Sequence, residues 1–141
     1  MYLAVIEFMN RLAFGDKFYF IFEWLVANPS IVGVVGFAYG CVLFYGAICA
    51  KKWIPEDFRN FVFNESARIL KDNPSIEIEE LASQIYEKWI EEVPNLPSKY
   101  RIPTRVGLWI EKPTVQSLEE NYRINEIAII DMFKKNRNMN K

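Results

Sequence analysis

Apolar positions recur with a helical period along much of the chain, and one stretch is apolar all round. From Ile31 to Ala50 it reads IVGVVGFAYGCVLFYGAICA, with no charged residue and no proline. A helix rises about 1.5 Å per residue, so this stretch covers roughly 30 Å, the thickness of a bilayer's hydrocarbon core. A core helix of a soluble domain keeps a polar stripe; here the only polar tips are those of Tyr39 and Tyr45. Asn28-Pro29-Ser30 ahead of it is a helix-start signal, with Asn28 as N-cap and Pro29 at the first helical position. Lys51, Lys52 and Trp53 follow at once, two cations and an indole where headgroups would sit. The pattern predicts a transmembrane helix over 29–53, with Trp24, Lys51, Lys52 and Trp53 as membrane-interface residues.

Residues 1–27 are apolar but interrupted. Glu7, Asn10 and Arg11 share one helical face, Gly15-Asp16 breaks the pattern, and an aromatic run from Phe18 to Trp24 follows. Neither piece is long enough to span a bilayer alone. An amphipathic helix lying in the interface fits, because aromatic rings concentrate there and buried carboxylates such as Glu23 are costly. The alternative is a tilted first span that packs Glu23 against a partner. Inside the span, Gly33, Gly36, Gly40 and Ala47 lie close to one face, and Gly36 to Gly40 is a small-xxx-small pair. Such a stripe lets two helix backbones approach and gain dispersion contacts, so these four residues are expected to pack on another subunit's helix.

After the span the period returns. Pro55-Glu56-Asp57 reads as the start of a new helix, with Phe58, Phe61, Val62 and Ile69 as its apolar stripe and Asp72-Asn73-Pro74 as its end. Ile78, Leu81, Ala82, Ile85, Tyr86, Trp89 and Val93 form a second amphipathic stripe. Its opposite face carries six glutamates against Lys88, the pattern of a solvated surface. Pro94, Pro97, Pro103 and Pro113 then exclude a long helix. The segment 94–113 reads as an extended basic arm laid over the acidic helix or over a neighbouring subunit, with Val106–Ile110 as a short strand. Arg101, Arg105 and Trp109 are its expected partner-docking residues; the competing expectation folds Trp109 back onto Ile85, Trp89 and Val93. Ser117 to Glu120 has capping-box spacing and opens a last helix carrying Leu118, Tyr122, Ile129, Ile130 and Phe133, followed by a basic tail expected to be disordered unless held.

Charge and chemistry narrow the classes. The net charge is −1, and no basic stripe with interleaved aromatics marks a nucleic-acid surface. Most of the charge lies beyond residue 54, as expected of an apolar anchor followed by an extramembrane region. The absence of histidine removes the commonest acid/base group and metal ligand. Cys41 and Cys49, two helical turns apart, are too far from each other for a disulfide and read as small packing residues. No Gly-rich phosphate loop, nucleophile elbow or EF-hand spacing is present. No catalytic residue, cofactor or metal is therefore expected. A cleaved targeting segment is not expected either, since Met1–Ile6 lacks a positive start and Glu7 and Asp16 are out of place in a transit peptide.

The expected fold is mainly α, a single-pass transmembrane helix with an N-terminal interfacial segment (1–27). The span (29–53) leads to extramembrane helices (54–93), the proline-rich arm (94–113) and a C-terminal helix with its tail (114–141). Lys51, Lys52 and Arg59 follow the span while Lys17 alone precedes it closely, which puts residues 51–141 on the cytoplasmic or matrix side. The expected role is a non-catalytic accessory subunit of a large membrane complex, with other membrane-protein subunits and lipids as partners and no nucleic acid. Respiratory-chain and ATP-synthase assemblies of the mitochondrial inner membrane contain small single-span subunits of this build, an analogy of architecture only. The alternatives are a stand-alone adaptor recruiting a soluble partner, and a membrane-active pore-forming or viral protein.

Overall fold

A computed structural model of the protein describes residues 20–139, with side chains through Arg137. Most of the interfacial segment expected over 1–27 lies outside the described residues, as do Asn140 and Lys141. The chain divides into two compact units, Met1–Cys41 and Val42–Lys141.

In the first unit, residues 20–27 are helical and stop at Asn28. The Asn28 side-chain amide donates to Trp24 O at 2.8 Å, and the Asn28 carbonyl accepts the N–H groups of Ile31 and Val32. One residue thus closes one helix and opens the next, which Pro29 can begin because its missing N–H would be an orphan there. That next helix, α1 (Pro29–Ile48), has Ile31, Val32, Val34, Val35 and Phe37 exposed. The helical run continues without a break to Asp72, 44 residues in all, and its most apolar window has mean hydropathy 2.1 with 6% of it buried. Among the described residues it is the one helix long and apolar enough to cross a membrane.

This continuity corrects the expectation of a fresh helix at Pro55. A π-helical turn, Cys49–Trp53, joins α1 to α2 (Ile54–Asp72), and Ile54 N–H donates to Cys49 O, five residues back. Inside a regular α-helix a proline ring collides with the carbonyl four residues earlier. A widened turn just before Pro55 relieves that crowding, so the helix absorbs the proline instead of ending.

The second unit is a small helical fold around α2 and α3 (Ile78–Glu92), followed by a 3₁₀ turn, Val93–Asn95. The two expected stripes meet in its core. Phe58, Val62 and Ile69 face Leu81, Ala82, Ile85 and Trp89, all buried. Phe58 meets the Trp89 ring edge-on with centroids 4.9 Å apart, and Phe61 lies 5.4 Å from the same ring. Each such side chain, fully buried, contributes about 1.5–3 kcal/mol from apolar area. Around the rim, Lys88 Nζ pairs with Glu65 Oε2 at 2.6 Å.

The proline-rich segment is folded, not an arm extended throughout. Strands β1 (Ile102–Pro103) and β2 (Ile110–Glu111) form an antiparallel hairpin in which Ile102 faces Glu111 and Pro103 faces Ile110. Strand pairing is thus confined to the end of the run expected over Val106–Ile110, and its first four residues form the hairpin loop. Tyr100, Ile102 and Pro113 are buried.

The C-terminal helix is two helices, α4 (Val115–Tyr122) and α5 (Glu126–Met139). The capping box sits three residues earlier than expected: Thr114 Oγ1 accepts Ser117 N–H, and Thr114 N–H donates to Ser117 Oγ. Arg123 ends α4 in the left-handed region at φ 54°, its N–H on Glu119 O. Asn125 Oδ1 then accepts Ala128 N–H at the start of α5. Helix α5 carries the expected tail as far as Met139 and supplies Ile129 to the core.

Candidate interaction site at the end of the apolar helix

Within the second unit, the hairpin docks against the last turns of α1 and the π turn. Small residues at Gly46, Cys49 and Ala50, spaced i, i+3 and i+4, make one helical face, and all three are buried. At Gly46 a Cβ would stand 2.5 Å from Ile110 Cγ2 and 3.6 Å from Pro103 Cδ, so only glycine admits the hairpin this close. Beside it, the Tyr45 hydroxyl donates to Lys99 O at 2.7 Å.

Three rings continue the contact. Trp53 stacks on Tyr100 with centroids 6.0 Å apart at 28°, and Tyr45 meets Trp53 edge-on at 5.7 Å and 77°. Offset and edge-to-face pairs of this kind add about 0.5–1.5 kcal/mol each beyond their area. The Tyr100 hydroxyl donates to Asp57 Oδ2 at 2.7 Å. That hydrogen bond, followed by burial, pushes the Tyr100 phenol up to about 12. The phenol is therefore neutral and acts as a fixed donor tying the hairpin to α2.

Each residue singled out in the sequence now has a place. Lys51 and Lys52 are exposed on the π turn, whereas Trp53 is half-buried in the ring cluster. Trp24 lines an apolar groove of about 480 Å³ with Leu25, Ile31, Val35 and Tyr39. Gly33, Gly36 and Gly40 are exposed, and among the described residues a Cβ on any of them would meet nothing within 4 Å; Ala47 is half-buried. Arg101 is engaged locally, its Nη1 donating to Ser98 O and Tyr100 O at 2.7 Å each. Arg105 is exposed and lines a polar cleft with Glu111 and Glu120. Trp109 is 56% exposed.

Sequence reasoning missed Gly46. Its signal was the small-residue spacing Gly46-Cys49-Ala50, overlooked beside the more regular glycines upstream. Among the described residues, no three His, Cys, Asp or Glu side chains converge as a metal site would need. No protein family, curated protein or solved structure matches the chain.

Proposed function

We propose that the protein is a single-pass, non-catalytic accessory subunit of a large membrane complex. The observation that carries this reading is the exposure of α1 ahead of the hairpin: every residue from Pro29 to Cys41 is exposed among the described residues, and the helix's most apolar window is 6% buried. In water that surface would far exceed the apolar patches soluble monomers tolerate; in a bilayer it needs no cover. The exposed glycine stripe Gly33, Gly36 and Gly40 supports a second helix packing there. A non-catalytic role is supported by the lack of histidine and of any nucleophile motif in the sequence. Residues 51–141 face the cytoplasm or matrix under the positive-inside rule. Assemblies of the respiratory-chain or ATP-synthase type in the mitochondrial inner membrane are the proposed setting, on architecture alone.

Native size in a mild detergent tests this. The subunit reading expects co-migration with an assembly far larger than the 16.6 kDa chain. A chain that runs alone would be the stand-alone adaptor, and a homogeneous self-associate would be the pore former. Either result overturns the proposal.

A further inference from the structure

The hairpin has a direction along the helix it docks on. Tyr100 touches Trp53 and Asp57, while Pro103, three residues later, touches Gly46. Along the helix, Trp53 to Gly46 is roughly 10 Å, and three extended residues also cover roughly 10 Å. Strand β1 therefore runs antiparallel to the helical stretch from Gly46 to Asp57 and leads toward its Gly46 end. The loop beyond Pro103 continues past the level of Gly46, where Phe44 is exposed. That loop carries Val106, Leu108 and Trp109, all exposed.

Resting on the membrane-spanning reading, we propose that the hairpin tip Val106-Gly107-Leu108-Trp109 inserts into the lipid bilayer beside the end of α1. Chain geometry suits that depth. The Thr104 N–H donates to Trp109 O at 2.9 Å and the Gly107 N–H to Thr104 O at 2.7 Å, so two of the loop's N–H groups are satisfied inside it, which lowers the cost of a shallow insertion. Gly107, at φ 73°, allows the tight turn. The indole of Trp109 suits the headgroup boundary. Lys99, Arg105 and Lys112, all exposed, bracket the tip where lipid phosphates lie, and long cationic side chains can reach that level from below. Glu111 is the single acid of the hairpin. The tip thus gives the chain a second, shallower hold on the membrane.

Spin labelling of the full-length chain in phosphatidylcholine–phosphatidylglycerol vesicles tests the proposal. Labels at Leu108→Cys and Val106→Cys, at Phe44→Cys as the span control and at Glu87→Cys as the aqueous control are placed in a Cys41→Ser background; Cys49 is fully buried. Relative accessibility to oxygen and to a polar nickel complex is then read. The expected result is a lipid-like ratio at positions 44, 106 and 108 and a water-like ratio at 87. Lipid-like 44 with water-like 106 and 108 overturns the hairpin insertion and leaves the span standing. Water-like 44 removes the span and the insertion with it. Low accessibility to both reagents at 108 places protein there instead, a second copy if dipolar broadening accompanies it, and also overturns the proposal.

Discussion

A side chain at position 46 would begin 2.5 Å from the Cγ2 methyl of Ile110, closer than any ordinary carbon contact, and Gly46 is what makes the approach possible. Ile110 belongs to the hairpin and Gly46 to the apolar helix, so this pair fixes how the proline-rich segment sits on the end of α1. Ile110 is β-branched and stiff at χ1, and its methyl has little freedom to swing aside.

Gly46→Ala is therefore expected to destabilise the isolated chain by about 1–3 kcal/mol, the scale of overpacking. Ile110→Ala placed on top should recover part of the loss, because it removes the methyl that clashes. Thermal melting of the four-member cycle in detergent checks this; additive losses would mean the two residues do not meet.

Gly40→Ile has the opposite signature. Among the described residues nothing lies within 4 Å of a Cβ there, so melting of the isolated protein should be unchanged. Co-migration with the assembly should weaken instead, by roughly 1–2 kcal/mol, the scale of interhelical contacts in membranes. Leu43→Ile should matter less, and equal tolerance at 36, 40 and 43 would put the glycines toward lipid.

How much of this was legible in the sequence depends on the range of the interactions involved. The stripes Phe58-Phe61-Val62-Ile69 and Ile78-Leu81-Ala82-Ile85-Tyr86-Trp89-Val93 are periodic and local, and they are buried except at Phe61, Ile78 and Tyr86, which are half-buried. Asn73-Pro74 ended α2 where a proline should. Pro55-Glu56-Asp57 misled because it is a helix start by local chemistry, and only the π turn before it lets the helix run on. The hairpin pairs Ile102 with Glu111 and Pro103 with Ile110, a register no local pattern announces in a segment of four prolines. Gly46 shows the same limit: which face of a small-residue helix is packed depends on where a distant hairpin lands.

Ionisation of Tyr100 gives a pH dependence. Its phenol is raised to about 12, first by the hydrogen bond to Asp57 and then by burial, against about 10 unfolded. A raised value favours the protonated form in the fold, so its contribution is complete below pH 10 and disappears as the pH climbs from 10 through 12. Burial and the Glu119 contact also raise Tyr86. Tyr100→Phe should lower stability at neutral pH and reduce, without abolishing, the alkaline loss. Denaturant unfolding from pH 8 to 12, with phenolate absorbance as the titration, reads both; an unchanged slope in the variant would contradict the Asp57 hydrogen bond.

Burial ranks the remaining substitutions. Trp89→Ala should cost about 3–5 kcal/mol, since it empties the centre of the core. Lys88→Ala, next in sequence, breaks a partly exposed pair with Glu65 and should cost about 0.2–1 kcal/mol. Ile102→Ala, fully buried, should cost about 2–5 kcal/mol. Trp109→Ala, more than half exposed, should cost far less in melting than Ile102→Ala while loosening membrane attachment or assembly. Equal melting losses at 102 and 109 would place Trp109 in the core.

Labelling from one side of a sealed membrane decides whether the helix beginning at Pro29 crosses a bilayer. Glu23→Cys and Glu87→Cys, both at exposed positions on either side of the apolar run, are made separately in the Cys41→Ser background. An impermeant maleimide is applied to intact vesicles of known orientation before and after permeabilisation. The expected result is labelling of position 87 from the cytoplasmic or matrix face alone, with position 23 never reached from that face while the membrane is sealed. Equal labelling of both positions from the same face of an intact membrane would contradict the span.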